Sequence, residues 1–307
     1  VKNNKLDLLH VHYAIPHASA AYMARQILQK ENKYVPVITT LHGTDITLVG
    51  RDKTYAPVVA FSINQSDAIT AVSNNLKEET FRSFKIEKEI EVIYNFVDVQ
   101  RFNKKPIDAF RKVIAPNNER IIVHASNFRK IKRIDDVIRI YKRINEAIPS
   151  QLLLVGDGPE RHVAESLCRE FDLCESVRFL GKQQNMEEIF AITDLFLLPS
   201  EYESFGLSAL EAMAGRSPVV ATNVGGLPEI ITQGEDGFMG KVGDVDQLAG
   251  YAIDILKNES TFERFKINAR KKAEKFDISR IIPQYEKLYE RLYEGYCKHK
   301  MKGVKID

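Results

Sequence analysis

Two glutamates, Glu203 and Glu211, flank a glycine-containing turn with seven residues between them. The apolar run that ends at Leu198 predicts a buried strand, and the residues from Leu207 onward predict a helix. Gly206 allows the backbone to approach a ligand, and the free N–H groups of a helix start favour anions or hydroxyl groups. Carboxylates accept strong hydrogen bonds from hydroxyls. This segment therefore indicates a site for a ligand rich in hydroxyl groups.

A structural interpretation of Glu211 is equally open at this point. Residues 208–211 read Ser-Ala-Leu-Glu, which is the pattern of a capping box. In that case Glu211 satisfies the backbone at the helix start and binds no ligand. The spacing by itself does not separate the two interpretations.

A basic loop follows the strand predicted at 121–125. Four of its residues are cations within five positions, and they are Arg129, Lys130, Lys132 and Arg133. Cations at the carboxyl end of a strand suit a diphosphate, whereas surface clusters of this kind are also common. We expect one or two of the four to contact a ligand. The Gly-Asp-Gly turn at 156–158 is not a full dinucleotide fingerprint, and we expect it only to reverse the chain.

In the first part of the chain, histidines surround the ends of two predicted strands. His10, His12 and His17 flank Tyr13, and His42 begins the loop His-Gly-Thr-Asp. Strand alternation places His10 and His12 on one face and leaves His17 well beyond them, so we predict no metal site here.

Short apolar runs alternate with helical patterns along the whole chain, which predicts an α/β fold with doubly wound parallel sheets. The runs are continuous rather than alternating, so both faces of each sheet are expected to be covered. The predicted strands are 6–12, 35–41, 68–72, 90–94, 121–125, 152–155, 177–180, 195–198 and 219–221. The clearest predicted helices are 18–30, 75–84, 134–147 and 160–171.

A chain of 307 residues predicts two domains. The segments 102–106 and 115–119 lack a strand pattern, so we predict one Rossmann-like domain at 1–115 and a second at 116–282. Residues 283–307 would form a C-terminal helix and tail, with an apolar stripe for packing. Ligands of such domains lie at the carboxyl ends of the strands. The two domains are expected to face each other across a cleft.

Composition excludes several classes of function. There are 44 basic and 42 acidic residues, so no overall positive charge favours nucleic acid or a membrane surface. No apolar run is long enough to span a membrane. Three cysteines without metal-ligand spacing favour a cytoplasmic protein. There is no nucleophile elbow, Walker A loop or zinc-protease helix. The chain begins Val-Lys-Asn without Met, so we expect a natural N-terminal segment to precede it.

Taken together, these loops resemble family 4 of the retaining glycosyltransferases, of the two-domain GT-B type. The resemblance extends over essentially the whole chain. It rests on the E-x7-E motif at 203–211, Gly-Gly-Leu-Pro-Glu at 225–229, Ala-Val-Ser at 71–73, and Asn-Phe-Val-Asp at 95–98 with Phe102. It implies a hexosyltransferase whose nucleotide sugar is a substrate, with no cofactor.

The resemblance implies a role for each matching position. Glu203 would contact the donor sugar, and Glu211 would bind the ribose. Lys132 matches the family's diphosphate lysine, and His42 matches the histidine beside the donor sugar, so His42 and Glu203 are the implied catalytic residues. The other implied donor-site positions are Asn127, Gly181, Lys182, Phe205, Gly206 and Leu207.

A narrower resemblance concerns residues 10–17, 42–45 and 126–130. These segments are similar to members of the family that transfer N-acetylglucosamine from UDP-GlcNAc to L-malate in bacillithiol biosynthesis. Tyr13 lies at a position used for the acceptor. Malate is a dianion and needs a local cation, for which Arg51 is the candidate, with Thr44 and Tyr13 as hydrogen-bond partners.

Two departures from the family pattern matter. Asn127 stands where the family commonly has an arginine, which weakens the predicted diphosphate site. The glycine-rich loop that follows the family's first strand has no counterpart before Leu6, and without that segment we expect an unstable first domain and no activity.

No Asp-x-Asp motif follows a strand, so we predict transfer without a metal. Retention without an evident nucleophile on the opposite face predicts attack on the same face as the leaving group. The alternatives are a family member with another sugar or lipid acceptor, a UDP-sugar epimerase of the same fold, and a non-catalytic binding module. The oligomeric state is left open, with a homo-oligomer as one alternative.

Overall fold

The computed structural model describes residues 6–31, 33–49, 52, 54–105 and 107–301. The chain forms two compact units. Unit 1 contains Val1–Asn95 and Ser279–Asp307, and unit 2 contains Phe96–Ile278. Unit 2 is therefore inserted in the sequence of unit 1.

Unit 1 has a parallel sheet of four strands in the order β1-β2-β3-β4. Its strands are β1 (Leu9–His12), β2 (Val37–Leu41), β3 (Ala68–Ala71) and β4 (Ile90–Val92). Its first helices are α1 (Ser19–Gln29), α2 (Ala56–Asn64) and α3 (Asn74–Ser83), with a π-helical turn at Asp45–Val49. The turn at Ala14–Ala18 is irregular, because Ile15 has extended backbone angles. β2 is buried along its whole length, as expected for a strand covered on both faces.

The long C-terminal helix completes unit 1. Tyr285 and Leu288 on this helix are buried. The Tyr289 hydroxyl lies 2.7 Å from Nδ1 of His10, and the Tyr296 ring stacks on Tyr34 at 5.9 Å. The predicted apolar stripe is confirmed as a packing face.

Unit 2 has a parallel sheet of six strands in the order β10-β9-β8-β5-β6-β7. The chain adds strands outward from β5 to β7, then returns to the other side of β5 and continues from β8 to β10. The strand order reverses between β5 and β8, and such a reversal is where open α/β sheets bind ligands. The strands are β5 (Arg120–Ser126), β6 (Ser150–Gly156), β7 (Val177–Gly181), β8 (Leu195–Leu198), β9 (Val219–Thr222) and β10 (Gly237–Gly240).

Helices cover both faces of this sheet. They are α4 (Asp108–Ile114), α5 (Ile134–Ala147), α6 (Arg161–Glu170), α7 (Met186–Ala191), α8 (Leu207–Ala214), α9 (Leu227–Ile230), α10 (Val245–Lys257) and α11 (Glu259–Ala273), and α12 (Ile278–Met301) then leads back to unit 1. Short 3-10 turns occur at Lys130–Lys132 and Glu274–Phe276.

Helix α5 shows how the sequence pattern produces this packing. Ile134, Val137, Tyr141 and Ile144 recur at helical spacing, and all four are buried in the core of unit 2. The Tyr141 hydroxyl donates to the backbone oxygen of Ser150 at 2.7 Å, which satisfies its polar group inside the core.

All nine predicted strands are confirmed, and β1 to β9 each overlap the predicted range. β10 was not predicted, because Gly-Phe-Met-Gly has no β-branched residue. The two compact units divide after Asn95, which is earlier than the boundary predicted at 115. Contacts within unit 2 already include residues before 115, because Arg270 donates to the backbone oxygen of Val99 and Arg111 pairs with Asp194. Domains at 1–115, 116–282 and 283–307 stay a prediction.

Among the described residues, no helix combines the length and the apolar character needed to cross a bilayer.

Two glycines of unit 2 provide a matched test of the packing. Gly156 has φ +110°, and a Cβ atom there would lie 1.8 Å from the backbone oxygen of Ser126. We expect Gly156→Ala to lower the free energy of unfolding by about 2–3 kcal/mol, because strain and overlap add. Gly250, inside α10, has no atom within 4 Å of the added carbon. Gly250→Ala should raise stability by about 0.5–1 kcal/mol.

Urea unfolding of both variants measures the difference. Equal stability of the two variants would contradict the close approach of Gly156 to β5.

Candidate functional site

The loops after β5 and β8 meet at the point where the strand order of unit 2 reverses. Nζ of Lys132 lies 2.5 Å from Oε1 of Glu203, although the residues are 71 positions apart. The backbone N–H of Glu201 donates to the oxygen of Ile131 at 2.8 Å and joins the same two loops. The structure therefore brings together a cation and a carboxylate that the sequence analysis assigned to the diphosphate and to the donor sugar.

The Gly-Gly-Leu-Pro-Glu turn after β9 supports the backbone of Glu203. The N–H of Gly226 donates to the oxygen of Glu203 at 2.9 Å. Gly225 has φ +55°, and a Cβ atom there would lie 1.8 Å from that oxygen. Both glycines are required because the two backbones approach without space for a side chain. This gives the motif a mechanical role at the site.

His124 joins the ends of β5 and β8 beneath the ion pair. Its Nδ1 lies 2.9 Å from the oxygen of Leu197 and its Nε2 lies 2.8 Å from Oγ of Ser126. Because a carbonyl only accepts, Nδ1 carries the proton and Nε2 accepts from the serine. Complete burial lowers the pKa of His124 to about 4, so the ring is neutral at neutral pH.

Glu211 lies on the first turns of α8, but it does not form a capping box. The helix begins after Gly206, which has φ +95° and makes no side-chain cap. Ser208 is therefore inside the helix, and the capping interpretation of Glu211 is wrong. Burial raises the pKa of Glu211 to about 7, and Glu187 adds to this, whereas the charge of Arg101 opposes it.

The other predicted donor-site positions lie on the same sheet edge. Asn127 is exposed, and the glycines at 156 and 158 pack against the backbone of residues 126–128. Gly181 ends β7 with φ +65° and open space around its Cα, and Lys182 beside it is exposed. Phe205 is buried, whereas Leu207 is 42% exposed at the start of α8. The 156–158 turn thus shapes the loop that carries Asn127, besides reversing the chain.

The four cations of the basic loop separate into different environments. Lys132 pairs with Glu203, and Arg133 pairs with Asp136 at 2.6 Å. Arg129 and Lys130 are exposed. Lys132 is the member of the cluster that meets the E-x7-E segment.

A second cluster lies in unit 1, at the carboxyl ends of β1 and β2. Nδ1 of His12 lies 2.8 Å from Nε2 of His42, and the Tyr13 and His42 rings are 5.0 Å apart. Thr44 is exposed two residues further on. The cluster brings together the predicted residues His42 and Tyr13, and Thr44 follows in the loop after β2. Arg51 lies outside the described residues.

His42 and His10 are neutral at neutral pH. Burial lowers the pKa of His42 to about 4, with a smaller effect of His12, and burial also lowers the pKa of His10 to about 4. One neutral ring donates to the other across the His12–His42 contact. His17 was expected to lie well beyond the others, but its Nδ1 bonds the backbone oxygen of His12 at 2.6 Å.

Within the part of the chain that the structure describes, no group of three or more His, Cys, Asp or Glu side chains is arranged to hold a metal ion.

The sequence analysis missed several residues that shape these two clusters. Asp45 is buried and accepts from the N–H groups of Ala14 at 2.6 Å and Gly43 at 3.3 Å, so it ties the two loops of unit 1 together. Ser200 donates to Glu203, and Arg101 pairs with Glu187 near Glu211. The position of Asp45 directly after Gly-Thr in the sequence could have indicated its role. Nothing in the sequence indicated the roles of Ser200 and Arg101.

Comparison with known proteins shows the family. The sequence pattern of glycosyl transferases group 1 matches residues 107–272, and that of Glycosyltransferase Family 4 matches residues 1–101. The chain belongs to these glycosyltransferases, and its two parallel-sheet domains are those of the GT-B fold.

One relative is the N-acetyl-alpha-D-glucosaminyl L-malate synthase of Bacillus anthracis. It is 43% identical to this chain over 290 residues, which are 94% of this chain and 75% of the relative. Among solved structures, Anabaena Alr3699/HepE in complex with UDP-glucose is similar with a TM-score of 0.83 at 24% identity, over 93% of this chain and 79% of that one. Sucrose-phosphate synthase from Thermosynechococcus elongatus is similar with a TM-score of 0.80 at 24% identity, over 94% and 74%. These two structures support the fold.

The raised pKa of Glu211 predicts a pH-dependent effect of Glu211→Gln on stability. The unfolded carboxyl titrates near 4.5 and the folded one near 7. Protonation of Glu211 therefore stabilises the folded state. This stabilisation is fully present below about pH 4.5 and is lost as the pH rises through 7. We expect Glu211→Gln to gain on the order of 2 kcal/mol relative to the wild type between pH 4 and pH 8.

Thermal unfolding at pH 4, 6 and 8 measures this difference. If the difference in stability between the wild type and Glu211→Gln were the same at all three pH values, Glu211 would not have a raised pKa.

Proposed function

We propose that this glycosyltransferase transfers N-acetylglucosamine from UDP-GlcNAc to L-malate with retention of the anomeric configuration, as the first step of bacillithiol biosynthesis. The observation that carries the proposal is 43% identity over 94% of the chain to the Bacillus anthracis enzyme of that name. The Lys132–Glu203 pair at the strand reversal supports it, because donor binding needs a cation and a hydroxyl acceptor side by side.

In this proposal the donor is bound by unit 2. Lys132 neutralises the diphosphate, and Glu203 accepts a hydrogen bond from a sugar hydroxyl. Glu211 accepts from the ribose. The remaining donor contacts come from Asn127, from Gly181 and Lys182, and from the backbone of residues 205–207, where helix α8 presents N–H groups.

The chemical step needs no covalent intermediate with the protein. The bond between the anomeric carbon and the phosphate oxygen breaks as the malate hydroxyl attacks from the same face. The hydroxyl proton passes to the departing phosphate oxygen, so atoms and charge balance. Lys132 and the helix N–H groups stabilise the negative charge that develops on UDP.

His42 and Tyr13 are assigned to the donor sugar and the acceptor respectively, with Thr44 and Arg51 as further acceptor residues. The neutral state of His42 suits a hydrogen bond to a sugar hydroxyl, because a charged ring would not be needed to orient an uncharged group. We also propose that the reaction needs no metal and takes place in the cytoplasm.

Turnover with defined substrates tests the proposal. The protein is incubated with UDP-GlcNAc and L-malate in EDTA, UDP release is followed, and the anomeric configuration of the product is read by NMR. We expect an α-linked product and no loss of rate in EDTA. Turnover with a sugar acceptor but none with malate would overturn the acceptor and leave the class of enzyme intact.

The ribose role of Glu211 has its own test. Glu211→Gln should weaken UDP binding about tenfold or more, because a hydrogen bond to a charged group contributes about 1.5–3 kcal/mol. Glu201→Gln is the matched control, since Glu201 is exposed in the loop that leads into α8. Calorimetric titration with UDP at pH 8 gives both affinities. Equal UDP affinities for the two variants would show that Glu211 does not bind the ribose.

A further inference from the structure

Ser200 is a fully buried serine in the loop after β8, and its hydroxyl faces the carboxylate of Glu203. Oγ of Ser200 lies 2.8 Å from Oε1 of Glu203, and because an ionised carboxylate only accepts, the serine donates. The serine is itself held, since its backbone oxygen accepts from Oγ1 of the buried Thr222 at 2.5 Å. Ser200 is therefore a fixed donor that meets the candidate sugar-binding carboxylate.

Both donors to this carboxylate reach the same oxygen. Oε1 of Glu203 accepts from Nζ of Lys132 at 2.5 Å as well as from Ser200. Among the described residues, both of these donors contact Oε1 and neither contacts Oε2, so Oε2 is the oxygen that the proposed function assigns to the sugar hydroxyl. A carboxylate held at one oxygen presents the other in one direction, which is what recognition of a single sugar hydroxyl requires.

The two donors are not equivalent. Lys132 carries a compact charge on a flexible stem, and the donor diphosphate competes with Glu203 for it. When Lys132 turns to the phosphate, the neutral Ser200 has no such competitor and stays on Oε1. Without Ser200, the glutamate side chain would have to be ordered at the moment of binding, at a cost of up to about 2 kcal/mol.

We propose that Ser200 is a positioning residue that orients Glu203 and thereby sets the selectivity for the configuration of the donor-sugar hydroxyls. The inference rests on the proposed function, in which Glu203 contacts the donor sugar. It goes beyond that function because Ser200 is proposed to contact neither the donor nor the acceptor.

The test compares Ser200→Ala with Ser217→Ala. Ser217 is also fully buried in unit 2, and its hydroxyl donates to the backbone oxygen of Thr193 at 3.3 Å, before β9 at the opposite end of the sheet. Affinities for UDP, UDP-GlcNAc and UDP-GalNAc are measured by calorimetry without acceptor. The two sugars differ only in the configuration at C4.

For Ser200→Ala we expect UDP affinity within twofold of the wild type. The affinity for UDP-GlcNAc should fall on the order of tenfold, as for loss of a hydrogen bond to a charged group. The preference for UDP-GlcNAc over UDP-GalNAc should shrink severalfold. Ser217→Ala should leave all three quantities unchanged.

Three outcomes overturn the proposal. The first is an unchanged preference between the two sugars in Ser200→Ala. The second is a loss of UDP affinity in Ser200→Ala that equals the loss for the sugar nucleotides. The third is a wild type without preference between the epimers. Failure of the wild type to use malate is a separate result, which overturns the proposed function while the binding ratios still decide the role of Ser200.

Discussion

The contact between Lys132 and Glu203 is the interaction on which the arrangement of the candidate site in unit 2 depends. A lysine and a glutamate 71 positions apart meet because the strand order reverses between β5 and β8. Two charged groups that are mostly shielded from water need close pairing and further hydrogen bonds to be tolerated. The serine after β8 supplies one, and the histidine inside β5 holds the two strand ends at the required separation.

Backbone contacts without side chains form the second constraint. Gly156 lies against the oxygen of Ser126, and Gly225 lies against the oxygen of Glu203. In both places a loop that carries a candidate ligand-binding residue is held by the loop of a neighbouring strand. The glycines therefore serve the site by allowing its loops to pack closely against each other.

The sequence predicted the strands and the sheet edge that carries the site, because continuous β-branched runs report burial directly. It could not separate a ligand-binding Glu211 from a capping one, since that depended on the backbone angle of Gly206. The pairing of His12 with His42 depended on the register between β1 and β2, in which His12 lies opposite Thr40. Ser200 gave no signal, because its partner is set by a side-chain direction and not by spacing.

The insertion of unit 2 within unit 1 has a consequence for the order of assembly. Tyr285 and Tyr289 cover the histidine face of the first sheet, but they follow the whole of unit 2 in the sequence. During synthesis on the ribosome, unit 2 is complete and able to fold while the first sheet still lacks this cover. That face of β1 and β2 therefore stays exposed until the last helix emerges, and during that interval the growing chain is most open to chaperones and to aggregation.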